Sequence, residues 1–100
     1  MSATLRQNIL ITGASSGLGK GMAVLYAKMG RNLALCARRV DRLETLKAEL
    51  EEINPNITVL IKSLDVNDHD AVFTVFNEFK QELGSLDRII VNAGMGKGAS

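Results

Sequence analysis

Four short apolar runs recur along the chain: Ile9 to Thr12, Leu33 to Ala37, Ile57 to Leu64 and Ile89 to Val91. Most lack the apolar/polar alternation of a half-exposed strand, which is how strands covered on both faces read. Between the first two runs, Leu18, Met22, Leu25 and Met29 follow one another at helical spacing, and Gly30 comes next as a stop signal. That spacing predicts an amphipathic helix with these four residues on its buried face. Leu43, Leu46, Leu50 and Ile53 repeat the pattern, with Asp41 and Glu44 in capping-box-like positions and Asn54-Pro55 ending the segment. The third interval carries a stripe of Val72, Phe76, Phe79 and Leu83, with Asn67 as the expected N-cap and Gly84 closing the helix.

The predicted order is therefore βαβαβαβ with short connections, an α/β chain whose strands run parallel and are joined by right-handed crossovers. If the first three strands run outward in the order 3-2-1, the fourth returns to lie beside the first. That reversal puts the third helix on the opposite face of the sheet. The crevice between strands one and four then becomes a topological switch point, where ligands bind in such sheets.

Composition narrows the function without choosing it. Twelve basic and eleven acidic residues nearly cancel, so no overall field draws the chain to nucleic acid or to an anionic membrane. The start, Met1 to Asn8, is short and polar, and no apolar run approaches the roughly 18 residues of a membrane span. A cytoplasmic location is the simplest expectation. At 100 residues the chain is one domain's worth. Cys36, the single cysteine, lies within an apolar run and reads as a buried small hydrophobe. The three Phe all fall in the third helix, where Phe76 and Phe79 share a face with Val72 and Leu83, so core packing explains them better than a ring-binding box.

The chemistry lies directly after the first strand, in Thr12-Gly13-Ala14-Ser15-Ser16-Gly17-Leu18-Gly19. A helix that begins at a strand's carboxyl end aims unpaired N–H groups and a partial positive charge at whatever lies above it, which suits a phosphate. By analogy with dinucleotide turns, Gly13 allows the sharp exit from the strand, Gly17 the close approach to pyrophosphate, and Gly19 tight helix-to-strand packing. Gly21 is expected to assist that packing one turn on. A triphosphate P-loop fits poorly, because Gly19-Lys20 would need glycine where Ala14 stands and a hydroxyl residue where Gly21 stands. A methyltransferase also carries a glycine turn after its first strand. Thr12 and Arg38, where that class usually has acidic residues, argue against it.

The turn Thr12-Gly13-x-x-x-Gly17-x-Gly19 resembles the cofactor signature of the short-chain dehydrogenase/reductase family. Asn92-Ala93-Gly94 resembles its Asn-Asn-Ala-Gly motif, with Val91 in place of the first Asn, and Asp65-Val66 is a third match. The resemblance runs from Ile9 to Gly94 and implies a Rossmann-type parallel sheet of strand order 3-2-1-4, incomplete relative to the full family fold. It implies that residues 1–100 are the N-terminal, cofactor-binding portion of a larger single-domain enzyme. Carried over residue by residue, it places Gly13, Ser15, Ser16, Gly17, Leu18 and Gly19 around the cofactor phosphates. Asp65 is then expected to accept from the adenine amino group, and Val66 to flank the ring. Asn92, Ala93 and Gly94 pass beside the adenosine ribose, and Asn92 also ties the central strands together.

Cofactor choice follows from strand two, which ends in Cys36-Ala37-Arg38-Arg39 where NAD-preferring relatives place an acidic residue. A carboxylate repels a 2′-phosphate, whereas an arginine fork binds it, so NADP(H) is expected. Arg38 together with Ser15 would hold the phosphate, and Arg39 would pair with it or stack on adenine. The family's catalytic Asn, Ser and Tyr-x-x-x-Lys pair have no match here. Tyr26 is followed four residues later by Gly30, and His69 lies near the start of the third helix without a local partner, so neither is expected to act. The expected reaction is hydride transfer between NADP(H) and a small carbonyl or alcohol, with the intact protein a homo-oligomer. A non-catalytic nucleotide sensor of the same fold is the competing reading.

Overall fold

The computed structural model describes residues 7–92. Its elements are β1 (Asn8–Thr12), α1 (Gly17–Lys28), β2 (Asn32–Ala37), α2 (Val40–Ile53), β3 (Val59–Ser63), α3 (His69–Leu83) and β4 (Arg88–Val91). All four strands are parallel and lie in the order β3-β2-β1-β4. The topology read from the sequence is the one observed. β1 is central, pairing Thr12 with Cys36 on one side and with Val91 on the other, and all five of its residues are buried.

Two layers cover the sheet. Ile9, Ile11, Leu33, Leu35 and Val59 point toward α1 and α2, while Leu10, Ala34 and Cys36 point the other way, toward Val75 and Phe79 of α3. The alternation along each strand is thus between two apolar layers, which is why it was invisible as polarity. α3 crosses to the face opposite α1 and α2, as the strand order requires.

Several local expectations need correction. α1 buries Gly19, Ala23 and Ala27, spaced four residues apart, whereas Leu18 is 69% exposed and Leu25 and Met29 are also exposed. Of the expected stripe only Met22 packs against the core, and it is only partly buried. The small face wins because the start of α1 is pinned against the end of β1, where a longer side chain has no room. Gly21 assists no packing: a Cβ there would meet nothing within 4 Å. α2 starts at Val40 and not after Asp41; Arg39 occupies the N-cap position without a side-chain capping bond. Leu43, Leu46 and Leu50 are buried as expected, while Ile53 is exposed. α3 is capped by Asp68, whose carboxylate accepts from the Ala71 N–H at 3.1 Å, in place of Asn67. Its buried face adds Val75 to Phe79, with Val72, Phe76 and Leu83 half-buried, and Phe73 stands 74% exposed. β3 is shorter than the apolar run that announced it, although Ile57 and Leu64 at its flanks are still buried.

Candidate functional site

The carboxyl ends of β1 and β4 meet the start of α1 in one hydrogen-bonded corner. Gly13 leaves the strand at φ +64°, a conformation open to glycine at little cost, and a Cβ on it would collide with the Asn92 carbonyl oxygen. The turn closes with Ser16 N–H donating to the Gly13 carbonyl at 3.2 Å. Ser16 then caps α1: its hydroxyl donates to the Gly13 carbonyl at 2.9 Å and accepts from the Gly19 N–H at 3.4 Å. The Lys20 N–H is taken by the Ser16 carbonyl at 2.7 Å. Gly17 and Leu18, the first two residues of the helix, carry N–H groups without an intrahelical partner.

Asn92 locks this corner from the fourth strand. Its backbone N–H donates to the Thr12 hydroxyl at 3.0 Å, and its side-chain amide donates to the Gly13 carbonyl at 3.2 Å and to the Ser16 hydroxyl at 2.8 Å. Ser16 therefore uses its one proton and both acceptor positions. Gly19 sits beneath: a Cβ there would collide with the Gly13 carbonyl and lie 2.9 Å from the Asn92 amide nitrogen. At Gly17, by contrast, a Cβ would meet nothing within 4 Å.

Beside this corner a cavity of about 310 Å³ opens across the carboxyl ends of β1, β2 and β3. Of the residues singled out from the sequence, Gly13, Ser15, Ser16, Arg38, Arg39, Asp65, Val66 and Asn92 line it. Gly17 and Leu18 are exposed at the helix start, and Gly19 is buried behind the turn. Ala93 and Gly94 lie outside the described residues. Ala37, Leu64 and Asn67 also line the cavity; sequence reasoning missed them, although each is adjacent in the chain to a residue it did name.

Charges around the cavity are unequally paired. Arg39 holds Asp41 through two nitrogens, at 3.3 and 3.1 Å, and that hydrogen bond keeps the Asp41 carboxyl below its usual range. Among the described residues Arg38 has no acidic partner. One Asp65 carboxylate oxygen accepts from the Asn67 N–H at 2.9 Å. Cys36 is buried behind β2, where desolvation pushes its thiol up to about 12, so it carries no nucleophile to the site. His69 is exposed at the start of α3, and Tyr26 accepts a 3.3 Å bond from Arg88. Neither lines the cavity. Among the described residues no group of three or more His, Cys, Asp or Glu could hold a metal ion.

The sequence profile for short chain dehydrogenase matches residues 7–100. The chain belongs to that family. It is 60% identical over 99 residues to an uncharacterized oxidoreductase of Mycobacterium tuberculosis, covering 99% of this chain and 39% of that protein. It is 39% identical over 99 residues to the NADP-dependent 3-hydroxy acid dehydrogenase of Schizosaccharomyces pombe, covering 98% of this chain and 38% of that protein. Among solved structures it superposes on an alcohol dehydrogenase of the archaeon Thermococcus sibiricus in complex with 5-hydroxy-NADP, with TM-score 0.85 and 36% identity. That match covers 91% of this chain and 38% of the dehydrogenase. The chain thus spans about two fifths of the length of these relatives. The short chain dehydrogenase membership carries the oxidoreductase class and the Rossmann-like sheet together. Among the described residues no helix is long and apolar enough to cross a membrane.

Proposed function

We propose that this chain is the cofactor-binding N-terminal portion of an NADP(H)-dependent oxidoreductase acting on a small carbonyl or alcohol. One observation carries the cofactor choice: the Arg38 guanidinium, without an acidic partner among the described residues, and the Ser15 hydroxyl line the same cavity at the end of β2. Asp41, at the start of α2, is already bound to Arg39, and Glu49 further along the helix to Lys20. A 2′-phosphate brings a dianion to a place that offers a fork and a hydroxyl. The S. pombe relative's NADP dependence and the 5-hydroxy-NADP of the archaeal enzyme support the same choice.

The corner also fits a dinucleotide sterically. Gly17 leaves open space where the backbone must come close to a pyrophosphate, and the N–H groups of Gly17 and Leu18 face it with the positive end of the helix dipole. Asp65 accepts from the adenine amino group, Val66 flanks the ring, and Arg39 lies beside it. Asn92 ties the turn to β4 and borders the adenosine ribose. When bound, NADPH supplies the hydride that a carbonyl carbon accepts while its oxygen takes up a proton. This chain's residues bind and orient the cofactor.

Titration of the full-length protein with NADPH and NADH tests the reading. NADPH binding at least tenfold tighter, about 1.4 kcal/mol, is expected. Equal dissociation constants would overturn it.

A further inference from the structure

A second cavity, of about 230 Å³, lies between α1 and α2 and is lined by Ser15, Lys20, Arg42, Thr45, Leu46 and Glu49. Ser15 belongs to both cavities and forms the wall between them. We infer that Arg42, reaching Ser15 from the α2 side, is the second cation of the 2′-phosphate site, facing Arg38 across the Ser15 hydroxyl. This deepens the NADP(H) reading and rests on it.

A charge count around Ser15 singles out Arg42. Four cations line the two cavities: Lys20, Arg38, Arg39 and Arg42. Lys20 is neutralised by Glu49 at 3.4 Å and Arg39 by Asp41 at 3.1 Å. Recruiting either would bring a carboxylate up against the incoming dianion, a like-charge contact that offsets the gain. Among the described residues Arg38 and Arg42 have no acidic partner. The Thr45 hydroxyl is spent on the Asp41 carbonyl at 3.3 Å, which leaves Ser15 as the free hydroxyl between the two arginines. Two unpaired guanidinium groups match the two negative charges of a 2′-phosphate. A 2′-hydroxyl offers them a single uncharged acceptor, so Arg42 sets cofactor preference more than cofactor affinity as a whole.

Arg39 then has a different part. Paired with Asp41, it forms a unit of no net charge and serves the adenine side, where it acts alike on ligands with and without the 2′-phosphate.

The test uses full-length protein and two probes that differ only in that group, 2′,5′-ADP and 5′-AMP, titrated calorimetrically. The readout is the ratio of their dissociation constants. Arg42 is exposed on α2, so Arg42→Gln is expected to fold. It should weaken 2′,5′-ADP about tenfold and leave 5′-AMP within twofold, collapsing most of the ratio. Arg39→Gln should change both probes by the same factor and preserve the ratio. A wild-type ratio in Arg42→Gln, with the ratio lost in Arg38→Gln, overturns the role of Arg42 and leaves NADP(H) preference standing. Equal binding of the two probes by the wild type removes the NADP(H) reading, and the inference with it.

Discussion

Gly17 and Gly19 lie two residues apart in one turn of α1, yet the structure gives alanine opposite effects at the two positions. At Gly19 the added Cβ would run into the Gly13 carbonyl and lie 3.0 Å from the Ala14 Cα, and both neighbours are backbone that cannot rotate aside. Overpacking of this kind costs about 1–3 kcal/mol, against which alanine recovers up to about 1 kcal/mol of helix propensity. Gly19→Ala is therefore expected to lower stability, by up to about 2 kcal/mol after the full offset. At Gly17 no atom lies within 4 Å of the new Cβ, so Gly17→Ala keeps only the gain from a less flexible unfolded chain, about 0.4–1 kcal/mol. The ordering reverses for the cofactor: Gly17→Val fills the open space above the helix start and should weaken NADPH binding severely in a folded protein. Urea denaturation followed by circular dichroism gives the stabilities, and fluorescence titration with NADPH gives the affinities. If Gly19→Ala unfolds at the wild-type urea midpoint, the close helix-to-strand contact is not what holds this corner. If Gly17→Val binds NADPH like the wild type, the turn is merely structural.

Three other outcomes are expected. Asn92→Ala removes the amide bonds to the Gly13 carbonyl and the Ser16 hydroxyl and should cost about 1–3 kcal/mol together with weaker NADPH binding; unchanged melting and affinity would show that the lock is idle. Burial raises the Cys36 thiol from 9.0 to about 12, so the folded state keeps a proton that the unfolded state releases. Stability should then be level below about pH 9 and fall by about 2 kcal/mol by about pH 10.5, a slope that Cys36→Ala flattens; identical slopes in both proteins would refute the assignment. As an isolated polypeptide, residues 1–100 should show no hydride transfer with carbonyl or alcohol substrates and should self-associate through β4, whose Ile89 and Val91 are 45% and 67% exposed. A monomer by light scattering that oxidises NADPH with any of them would contradict both halves.

The sheet order was legible because apolar runs and helical stripes alternate cleanly, and because a glycine turn marks which strand comes first in the binding crevice. The face of α1 was not legible. Leu18-Met22-Leu25-Met29 and Gly19-Ala23-Ala27 share the same helical period, and reading by size selects the first set. The structure selects the second because Gly19 must pass beneath the Gly13 carbonyl and the Asn92 amide, a constraint that spans some 80 residues of sequence. Caps failed for a local reason: Asp41 and Asn67 carry the right side chains, but Asp41 is drawn to Arg39 and the Asn67 backbone is held in a turn by Asp65. The cavity lining was mostly legible, since strand ends and the residues after them carry it. The Arg39–Asp41 pair was not, because residues two apart do not face each other under helical spacing rules.

That pair changes how a chain of net charge +1 acts on an anion. Lys62 is bound by Glu82 and Glu78 at 3.0 and 3.6 Å, Lys20 by Glu49, and Arg39 by Asp41, so at a distance each behaves as a neutral dipole. Salt screens isolated charges over about 8 Å at physiological ionic strength, and paired ones fade faster still. What a phosphate meets at the carboxyl ends of β1 and β2 is accordingly short-ranged: the start of α1, Ser15, and the arginines left unpaired around it. Near-neutrality overall and local positive charge at the crevice are then compatible, because Arg38 and Arg42 are left without acidic partners among the described residues while Lys20, Arg39 and Lys62 are paired. It follows that salt should erode discrimination between NADPH and NADH more than it erodes NADH binding. The guanidinium contacts are exposed and screened, whereas the N–H groups of the glycine turn act at hydrogen-bond distance, where screening has little room to operate.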